Sequence, residues 1–213
     1  MSSGIFITFE GTDGSGKSTQ ITLLADALTA GGFDPVVTRE PGGTGIGELI
    51  RAIILDPAHR EMSAVTEMML YAASRAQHVD EVIRPNLEAG RIVISDRFVD
   101  SSIAYQGGAR ELGGIVGEVN GYAVRECMPD MTFLLCAAAD SVFTRIKTGS
   151  EDRIEAEGLA MQRAVAEAYR RLAEEYPERI TVIDASEPIG AIHARITERV
   201  MALLESKGRA RGR

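Results

Sequence analysis

The sequence predicts a doubly wound α/β fold, in which helices cover both faces of a parallel sheet. Short apolar runs rich in β-branched residues alternate with longer segments of helical pattern, and the runs lack the strict alternation of strands with one wet face. The segments between the runs are long enough to be the crossover helices that parallel strands require. The five predicted strands are residues 5–9, 35–38, 91–95, 131–135 and 180–184.

Seven helices are predicted between and after these strands. Pro85 is expected to kink the third helix, and Gly31 and Gly32 to end the first. The whole chain, 1–213, is predicted to be one domain, with a short lid at about 148–155 and a basic tail at 206–213 that frays. The helical stretches are residues 17–30, 47–55, 64–87, 112–125, 141–147, 155–176 and 189–206.

Composition and charge exclude several classes of protein. A net charge of -8 over 213 residues argues against broad binding to duplex nucleic acid, and no apolar run approaches the length of a membrane span. The first residues lack a charged leader, so a cytoplasmic location is expected. Cys127 and Cys136 are too few for a disulfide framework and lack the spacing of a metal site.

The first predicted strand leads into a phosphate-binding motif. Residues 11–18 read GTDGSGKS, which fits the P-loop pattern G-x-x-x-x-G-K-[ST] between a strand and an amphipathic helix. In that pattern backbone N–H groups cradle phosphate, Lys17 reaches the β- and γ-phosphates, and the Ser18 hydroxyl ligates Mg²⁺. A flexible turn with an incidental lysine is the alternative. The predicted ATP contacts are Gly11, Thr12, Asp13, Gly14, Ser15, Gly16, Lys17, Ser18 and Thr19.

The third strand ends in SDRF, residues 95–98. Asp96 then lies at the carboxyl end of a buried strand, where open α/β sheets bind ligands, and it can hold Mg²⁺ through water. Arg97 can hold a second anion, most usefully an acceptor phosphate. The alternative is a strand-end carboxylate paired with a surface arginine.

Arginines and aromatic residues are the candidates for a second binding site. Tyr71 and Arg75 are four residues apart on a helical pattern, so a ring and a guanidinium could contact one base. The alternative is an amphipathic helix whose tyrosine packs in the core. Switch GTPases read guanine with an Asn-Lys-x-Asp segment, which the sequence lacks. The other candidates are Arg39, Arg51, Arg97 and the run from Ser101 to Arg110.

Several of these pieces together resemble the thymidylate kinases. The matching stretches are FEGTDGSGKST, TREPGGT, YAASRAQHV, SDRFVDSSIAYQGGAR and DRIE, in the family's order and spacing over nearly the whole chain. The resemblance implies a nucleoside monophosphate kinase-like fold and ATP-dependent phosphorylation of dTMP to dTDP with Mg²⁺. It also implies a homodimer formed through helices such as residues 64–87.

The resemblance further implies a role for each matching residue. Tyr71 is expected to stack on thymine, Arg75 to donate to the base, and Arg97 to bind the dTMP phosphate. Asp13 is expected to face the nucleotide sugar, and Tyr105 to crowd the sugar 2′ position. The remaining implied contacts are Ser102 and Gln106 near the sugar and Glu40 and Arg51 around the acceptor phosphate.

The P-loop brings no arginine of its own, since positions 12–15 are Thr-Asp-Gly-Ser. The chain thus resembles the bacterial type, in which lid arginines approach the ATP phosphates. Arg153 is the leading candidate for this catalytic role, followed by Arg145 and Lys147. The alternative is a surface pair between Asp152 and Arg153.

Two other functions stay open from the sequence. A deoxynucleoside kinase acting on thymidine would need a carboxylate to take a proton from the sugar hydroxyl. A non-catalytic P-loop switch would bind nucleotide without acceptor-dependent turnover.

Overall fold

Five parallel strands form one sheet in the computed structural model, which describes residues 4–136, 153–154 and 157–209. The sheet order is β2-β3-β1-β4-β5 and all neighbours are parallel, which confirms the predicted five-stranded parallel sheet. Each strand begins and ends within one residue of its predicted bounds. The strands are β1 (Ile5–Glu10), β2 (Pro35–Arg39), β3 (Ile92–Asp96), β4 (Met131–Cys136) and β5 (Ile180–Asp184).

Helices connect the strands and cover both faces of the sheet. The first and last described helices have the predicted bounds, whereas the predicted helix at 141–147 lies outside the described residues. The described α-helices are α1 (Lys17–Ala30), α2 (Gly45–Leu55), α3 (Ala64–His78), α4 (Arg84–Glu88), α5 (Val99–Ser102), α6 (Ile115–Val124), α7 (Gly158–Glu175) and α8 (Ile189–Ser206).

The predicted long helix at 64–87 is interrupted by a π-helical segment, Val79–Ile83, between α3 and α4. At its end the Arg84 N–H bonds to the carbonyl of Val79, five residues back. Pro85 has no N–H and its ring crowds the carbonyl four residues earlier. The wider π-helical turn relieves that conflict, and it lies just ahead of Pro85, where the sequence predicted an irregularity.

A second π-helical segment, Ile103–Ala109, continues α5 and was not predicted as helical. Gly108 lies against α7, where an added Cβ would stand 2.5 Å from the Cβ of Ala168. Only a residue without a side chain allows this approach. The segment thereby packs on α7 and carries Tyr105 and Gln106 on a wide turn, a geometry that recurs at functional sites.

Both faces of the sheet are buried, which explains the lack of alternation in the strand sequences. On β1, Ile5, Ile7 and Phe9 face a core shared with α1 and α8. Phe6 faces the opposite core, where its ring meets that of Phe98 edge-on at 4.9 Å. All six residues of β1 are therefore buried.

The strand order brings three loops to one edge of the sheet. The loops that follow β1, β2 and β3 meet there, because Asp96 of β3 lies beside Phe9 on one side and Arg39 on the other. Gly11 begins the first loop with a φ of 132°, and a Cβ there would lie 2.3 Å from the Leu135 carbonyl oxygen. The close passage past β4 therefore requires glycine.

Glu10, the last residue of β1, is a carboxylate buried inside the fold. It accepts hydrogen bonds from the Phe98 N–H at 2.7 Å, the Ser101 hydroxyl at 2.6 Å and the Tyr169 hydroxyl at 2.8 Å. These bonds join β1 to α5 and α7. Burial raises the pKa of Glu10 to about 7, and the nearby charge of Asp100 acts in the same direction.

We predict that Glu10 makes the free energy of unfolding fall as the pH rises from about 4.5 to about 7. Because the pKa is higher in the folded chain, the folded state binds more protons than the unfolded state in this window. Glu10→Gln removes the titration, so its stability relative to wild type should rise by about 2 to 3 kcal/mol between pH 5 and pH 8. Urea unfolding at both pH values measures this change.

Glu174→Gln is the matched control, because Glu174 is exposed on α7. Its pH dependence should equal that of wild type. The same slope in Glu10→Gln as in wild type would contradict the assigned titration.

Candidate active site

The predicted P-loop has the strand, loop and helix that its chemistry needs. Gly14 and Gly16 adopt left-handed φ angles of 74° and 94°, and Gly16 forms the N-cap of α1. No side chain caps this helix terminus. Its first backbone N–H groups, together with the helix dipole, are therefore suited to bind an anion.

Lys17 is buried in the loop that it follows. Its Nζ donates to the carbonyl oxygens of Gly11 at 3.1 Å and Thr12 at 3.0 Å, and lies 4.0 Å from Asp13 Oδ1. Burial, together with the charge of Arg97, lowers the pKa of Lys17 to about 8. Lys17 is thus a buried cation whose nearest carboxylate stands 4.0 Å away, so an incoming phosphate would stabilise its charge.

A cavity of about 350 Å³ opens beside the loop, here called the phosphate cavity. Asp96 on its wall accepts from the Ser18 hydroxyl at 3.3 Å through Oδ2, while its buried Oδ1 has no hydrogen-bond partner among the described residues. Two adjacent oxygens, one of them unsatisfied, fit the predicted magnesium contact. The lining residues are Asp13, Gly14, Gly16, Lys17, Ser18, Thr19, Arg39, Glu40, Arg51, Asp96 and Arg97.

A second cavity adjoins the first and is here called the tyrosine cavity, after Tyr71 and Tyr105 on its walls. Burial raises the pKa of Tyr105 to about 12, so its hydroxyl stays protonated, and it has no partner among the described residues. Four charged residues line both cavities, namely Asp13, Glu40, Arg51 and Arg97. The other lining residues of the tyrosine cavity are Pro41, Leu55, Ser101, Gln106 and Ile154.

Arg97 lies where the two cavities meet. Its backbone has a φ of 70°, a conformation that costs a residue with a side chain about 1 kcal/mol and that clusters at functional sites. The N–H of Arg97 bonds to the Phe9 carbonyl at 2.9 Å, and the Ser95 hydroxyl bonds to its carbonyl at 2.8 Å. The bend directs the guanidinium to Asp13 Oδ1 at 2.6 Å and over the Tyr105 ring.

Asp13 therefore joins the P-loop to Arg97. Burial raises the pKa of Asp13, but the charges of Arg97 and Lys17 outweigh it and hold the pKa below its ordinary value. The carboxylate stays ionised and lines both cavities. The sequence predicted Asp13 as a contact for both nucleotides, and its position between the cavities is compatible with either.

Two hydroxyls support Arg97, of which Ser101 belongs to the predicted candidate run 101–110 and Tyr169 was not predicted. Arg97 Nη1 donates to the Ser101 hydroxyl at 3.1 Å and to the Tyr169 hydroxyl at 3.3 Å, and both hydroxyls also bond to Glu10. Glu10 gave a signal, since it is a charged residue inside an apolar strand pattern. No sequence signal marked Tyr169, because a tyrosine on the apolar face of α7 is typical of ordinary core packing.

Arg75 and Ser102, both predicted substrate contacts, lie behind the tyrosine cavity and do not line it. Arg75 is 1% exposed, and its guanidinium donates to Glu40 Oε2 at 2.8 Å, the Ser102 hydroxyl at 2.9 Å and the Phe98 carbonyl at 3.0 Å. It also bonds to Asn120. The structure shows Arg75 holding the cavity walls, and its contact with a base stays a prediction.

Glu40 connects this buried cluster to the cavities. Its second oxygen, Oε1, lies 2.9 Å from Nδ1 of His78, which is fully buried. Arg51 lies nearby and donates to the Pro41 carbonyl at 2.9 Å. Glu40 and Arg51 thus both stand at the junction of the two cavities, and their contact with an acceptor phosphate stays a prediction.

Arg153 lies away from the phosphate cavity, contrary to the prediction that it faces the ATP phosphates. Its N–H bonds to the Leu55 carbonyl at 3.1 Å, and its guanidinium donates to the Ile54 carbonyl at 2.7 Å and to Glu67 Oε2 at 2.6 Å. These bonds bury the side chain to 7% exposure. Asp152 lies outside the described residues, so the alternative of a surface pair with it stays open. Of the predicted lid, only residues 153–154 are described.

Comparisons with known proteins identify the family of the chain. The family model described as thymidylate kinase matches residues 9–196. A thymidylate kinase of Exiguobacterium sibiricum is 46% identical over 208 residues, covering 97% of this chain and 98% of that protein. One of Lactobacillus helveticus is 46% identical over 210 residues, covering 96% of this chain and 97% of that protein.

A solved structure agrees as well. The crystal structure of thymidylate kinase from Ehrlichia chaffeensis matches with a TM-score of 0.76 and 30% identity, covering 93% of this chain and 99% of that one. This chain and its relatives therefore match in sequence and in fold over almost their full lengths. The chain belongs to the thymidylate kinase family.

Proposed function

We propose that this enzyme transfers the γ-phosphoryl group of ATP to the 5′-phosphate of dTMP, giving dTDP and ADP. The observation that carries the proposal is the placement of Arg97, which lies between a phosphate cavity at the P-loop and a tyrosine-lined cavity. The donor triphosphate would occupy the first cavity and the acceptor nucleoside the second. The acceptor phosphate would then lie against Arg97 and Arg51, in reach of the donor.

The reaction needs no general base, since a phosphate oxygen is already ionised near neutral pH. Positioning and charge neutralisation must supply the rate. Lys17 and the N–H groups of residues 14–19 would bind the donor phosphates, while Arg97, held by Asp13 and two hydroxyls, would align the acceptor. The predicted lid cations Arg145 and Lys147 lie outside the described residues, and their role stays a prediction.

Ser18 and Asp96 would hold the magnesium ion that accompanies ATP. The unsatisfied Oδ1 of Asp96 and the adjacent hydroxyl support this assignment. No cluster of three or more metal-ligating side chains occurs among the described residues, as expected for an ion that takes most of its ligands from phosphate and water. When bound, the ion supplies positive charge beside the transferring group.

The tyrosine cavity would hold the nucleoside part of the acceptor. Tyr71 offers a ring for stacking, Leu55 and Ile154 provide apolar walls, and Gln106 provides an amide. Tyr105 stands beside Arg97, and its ring would limit the space at the sugar. A thymidine kinase reaction fits less well, because the carboxylates of Asp13 and Glu40 are already paired with arginines.

The acceptor preference is the first prediction of this proposal. In a coupled ADP-release assay, dTMP should be phosphorylated with a kcat/KM at least about 100-fold above that for thymidine, because only dTMP offers a phosphate to Arg97 and Arg51. The panel should include dUMP, dCMP and other monophosphates. A preference for thymidine, or nucleotide binding without acceptor-dependent turnover, would overturn the proposal.

Lys17→Ala should reduce kcat by at least about 100-fold, because it removes a preorganised cation at the donor phosphates. The chain should still fold, since Nζ contacts only backbone carbonyls and one partly exposed carboxylate. Circular dichroism checks the fold and the same coupled assay the rate. Lys207→Ala is the control, because Lys207 forms a surface pair with Asp130. Retained activity in Lys17→Ala would refute the P-loop assignment.

We also propose that two copies associate through α2 and α3, which pack side by side. Ile46, Leu49 and Ile53 form one apolar stripe on α2, and Val65 and Met69 another on α3. Leu49 is 70% exposed, which is unusual for a leucine beside other exposed apolar residues. A second copy would bury both stripes, and α3 lies in the predicted dimer segment 64–87.

Sedimentation equilibrium tests the dimer. Wild type at micromolar concentration should have twice the mass of one chain, and Leu49→Glu should shift it to the monomer because a charge would be buried at the centre of the contact. Ile189→Glu places the same charge on an exposed apolar residue of α8 and should stay dimeric. A monomeric wild type, or a dimeric Leu49→Glu, would contradict the assignment.

The remaining parts of the proposal concern location and organisation. None of the described helices is long and apolar enough to cross a membrane. We propose a cytoplasmic location because Cys127 and Cys136 are free thiols, the usual state in a reducing compartment. The described elements surround one sheet, which supports a single domain, and the lid at 148–155 stays a prediction.

A further inference from the structure

Glu67 on α3 is a fully buried carboxylate. It is 1% exposed and receives donors from three other parts of the chain. Oε1 accepts from Gln106 Nε2 at 2.9 Å and from Arg110 Nε at 3.3 Å. Oε2 accepts from Arg110 Nη2 at 3.1 Å and from Arg153 at 2.6 Å. Every side chain that meets Glu67 in these bonds is therefore a donor.

The charge state of Glu67 follows from these partners. Burial raises its pKa, but hydrogen bonds from Arg110, Gln106 and Arg153 outweigh burial and bring the pKa below its ordinary value. An ionised carboxylate can only accept hydrogen bonds. The amide of Gln106 must therefore turn its NH₂ group, and not its oxygen, toward Glu67.

This orientation decides what Gln106 can offer to a ligand. Gln106 lines the tyrosine cavity, and its Oε1 is buried with no hydrogen-bond partner among the described residues. An unsatisfied buried acceptor loses free energy unless a ligand donates to it. A pyrimidine with a ring N–H, as in thymine or uracil, can donate, whereas the ring nitrogen of cytosine is itself an acceptor.

We propose that Glu67 is a positioning residue that sets the base preference of the acceptor site by locking the amide of Gln106. This inference rests on the proposed dTMP kinase function and names a determinant of its specificity. Glu67 lies one helical turn before Tyr71, so the same helix presents the stacking ring and fixes the amide. The buried charge of Glu67 thereby decides which group of Gln106 faces the tyrosine cavity, although Glu67 itself does not line that cavity.

The other end of Glu67 holds a second wall of the same cavity. Its bond to Arg153, with the bonds from Arg153 to the carbonyls of Ile54 and Leu55, places Ile154 on the cavity wall. Two charged donors, from Arg110 and Arg153, meet at Oε2 at 3.1 and 2.6 Å, whereas Oε1 receives the neutral amide at 2.9 Å and a longer bond of 3.3 Å from Arg110 Nε. The position of Oε2 therefore needs a hydrogen-bond acceptor more strongly than that of Oε1, because two guanidinium groups donate to it.

Glu67→Gln tests the inference with a nearly isosteric change. The new side chain should keep its oxygen toward Arg110 and Arg153 and turn its NH₂ group toward Gln106. Two facing NH₂ groups repel, so the amide of Gln106 should flip and present its own NH₂ group to the cavity. We expect the ratio of the Kd for dCMP to the Kd for dTMP, measured by calorimetry, to fall by at least about ten-fold.

Glu167→Gln is the matched control, because Glu167 pairs with Arg170 and Arg171 on the surface of α7. Its Kd ratio should equal that of wild type. The Kd for ATP should not change in either variant, which a general loss of structure would not allow. A folded Glu67→Gln with a Kd ratio within two-fold of wild type would overturn the inference.

Two further measurements keep the test decisive if Glu67→Gln does not fold. Glu67→Asp retains the charge but withdraws it from Gln106, so the Kd ratio should fall in the same direction, and a folded variant with the wild-type ratio would refute the inference. Wild type should bind N3-methyl-dTMP at least about ten-fold more weakly than dTMP, because the methyl group replaces the donated hydrogen. Equal binding would also refute it.

The failure of the inference can be told apart from the failure of the proposed function. Wild-type turnover with dTMP and ATP tests the function, and the calorimetric ratios require no turnover. Wild-type turnover of dTMP combined with an unchanged Kd ratio of dCMP to dTMP in the Glu67 variants would reject the role of Glu67 and leave the proposed function standing.

Discussion

The ion pair between Asp13 and Arg97 is the interaction on which the arrangement of this site depends. It joins the loop after β1 to the end of β3, and those strands are neighbours only because the sheet order reverses around β1. The left-handed backbone of Arg97 turns its side chain across the end of β1, and the hydroxyls of Ser101 and Tyr169 fix the guanidinium from the other side. Arg97 is thus ordered before a substrate arrives, so less conformational entropy is lost when an acceptor phosphate binds.

Behind the cavity walls, buried charges form clusters whose polar groups are largely satisfied. Arg75 and Glu40 are 1% and 4% exposed, and Glu67 is 1% exposed. Taking such groups out of water costs several kcal/mol for each ion, and the pairing does little more than offset that cost. Their contribution is therefore geometric: a guanidinium with several acceptors, or a carboxylate with several donors, has one orientation. The buried clusters in turn fix the side chains that face the cavities, as Arg75 does for Glu40 and Glu67 for Gln106.

The sequence predicted the parts of the fold that depend on local pattern. The five strands, the P-loop at the start of α1 and the bounds of α8 follow from apolar runs, glycines and helical periodicity. Long-range polar partners were not predicted, because a pattern shows which face is buried but not which polar groups meet. Tyr169 and Glu10 are 159 residues apart, and Arg153 and Glu67 are 86 apart. The π-helical segment Ile103–Ala109 was not predicted either, because it depends on a long-range contact, the packing of Gly108 against α7.

The cations of the described site are distributed unevenly between donor and acceptor. Arg51 and Arg97 stand at the junction on the acceptor side, and Arg39 is held by both oxygens of Glu48. On the donor side, Lys17 is the one cationic side chain that the described residues place inside the P-loop. Its pKa of about 8 would rise beside a triphosphate, because added negative charge favours the ammonium form. One lysine cannot balance the charge of three phosphates, so the remaining positive charge must enter with the nucleotide as a metal ion or come from residues that close over it. Because no arginine lies between Gly11 and Gly16, the P-loop itself cannot supply this additional positive charge.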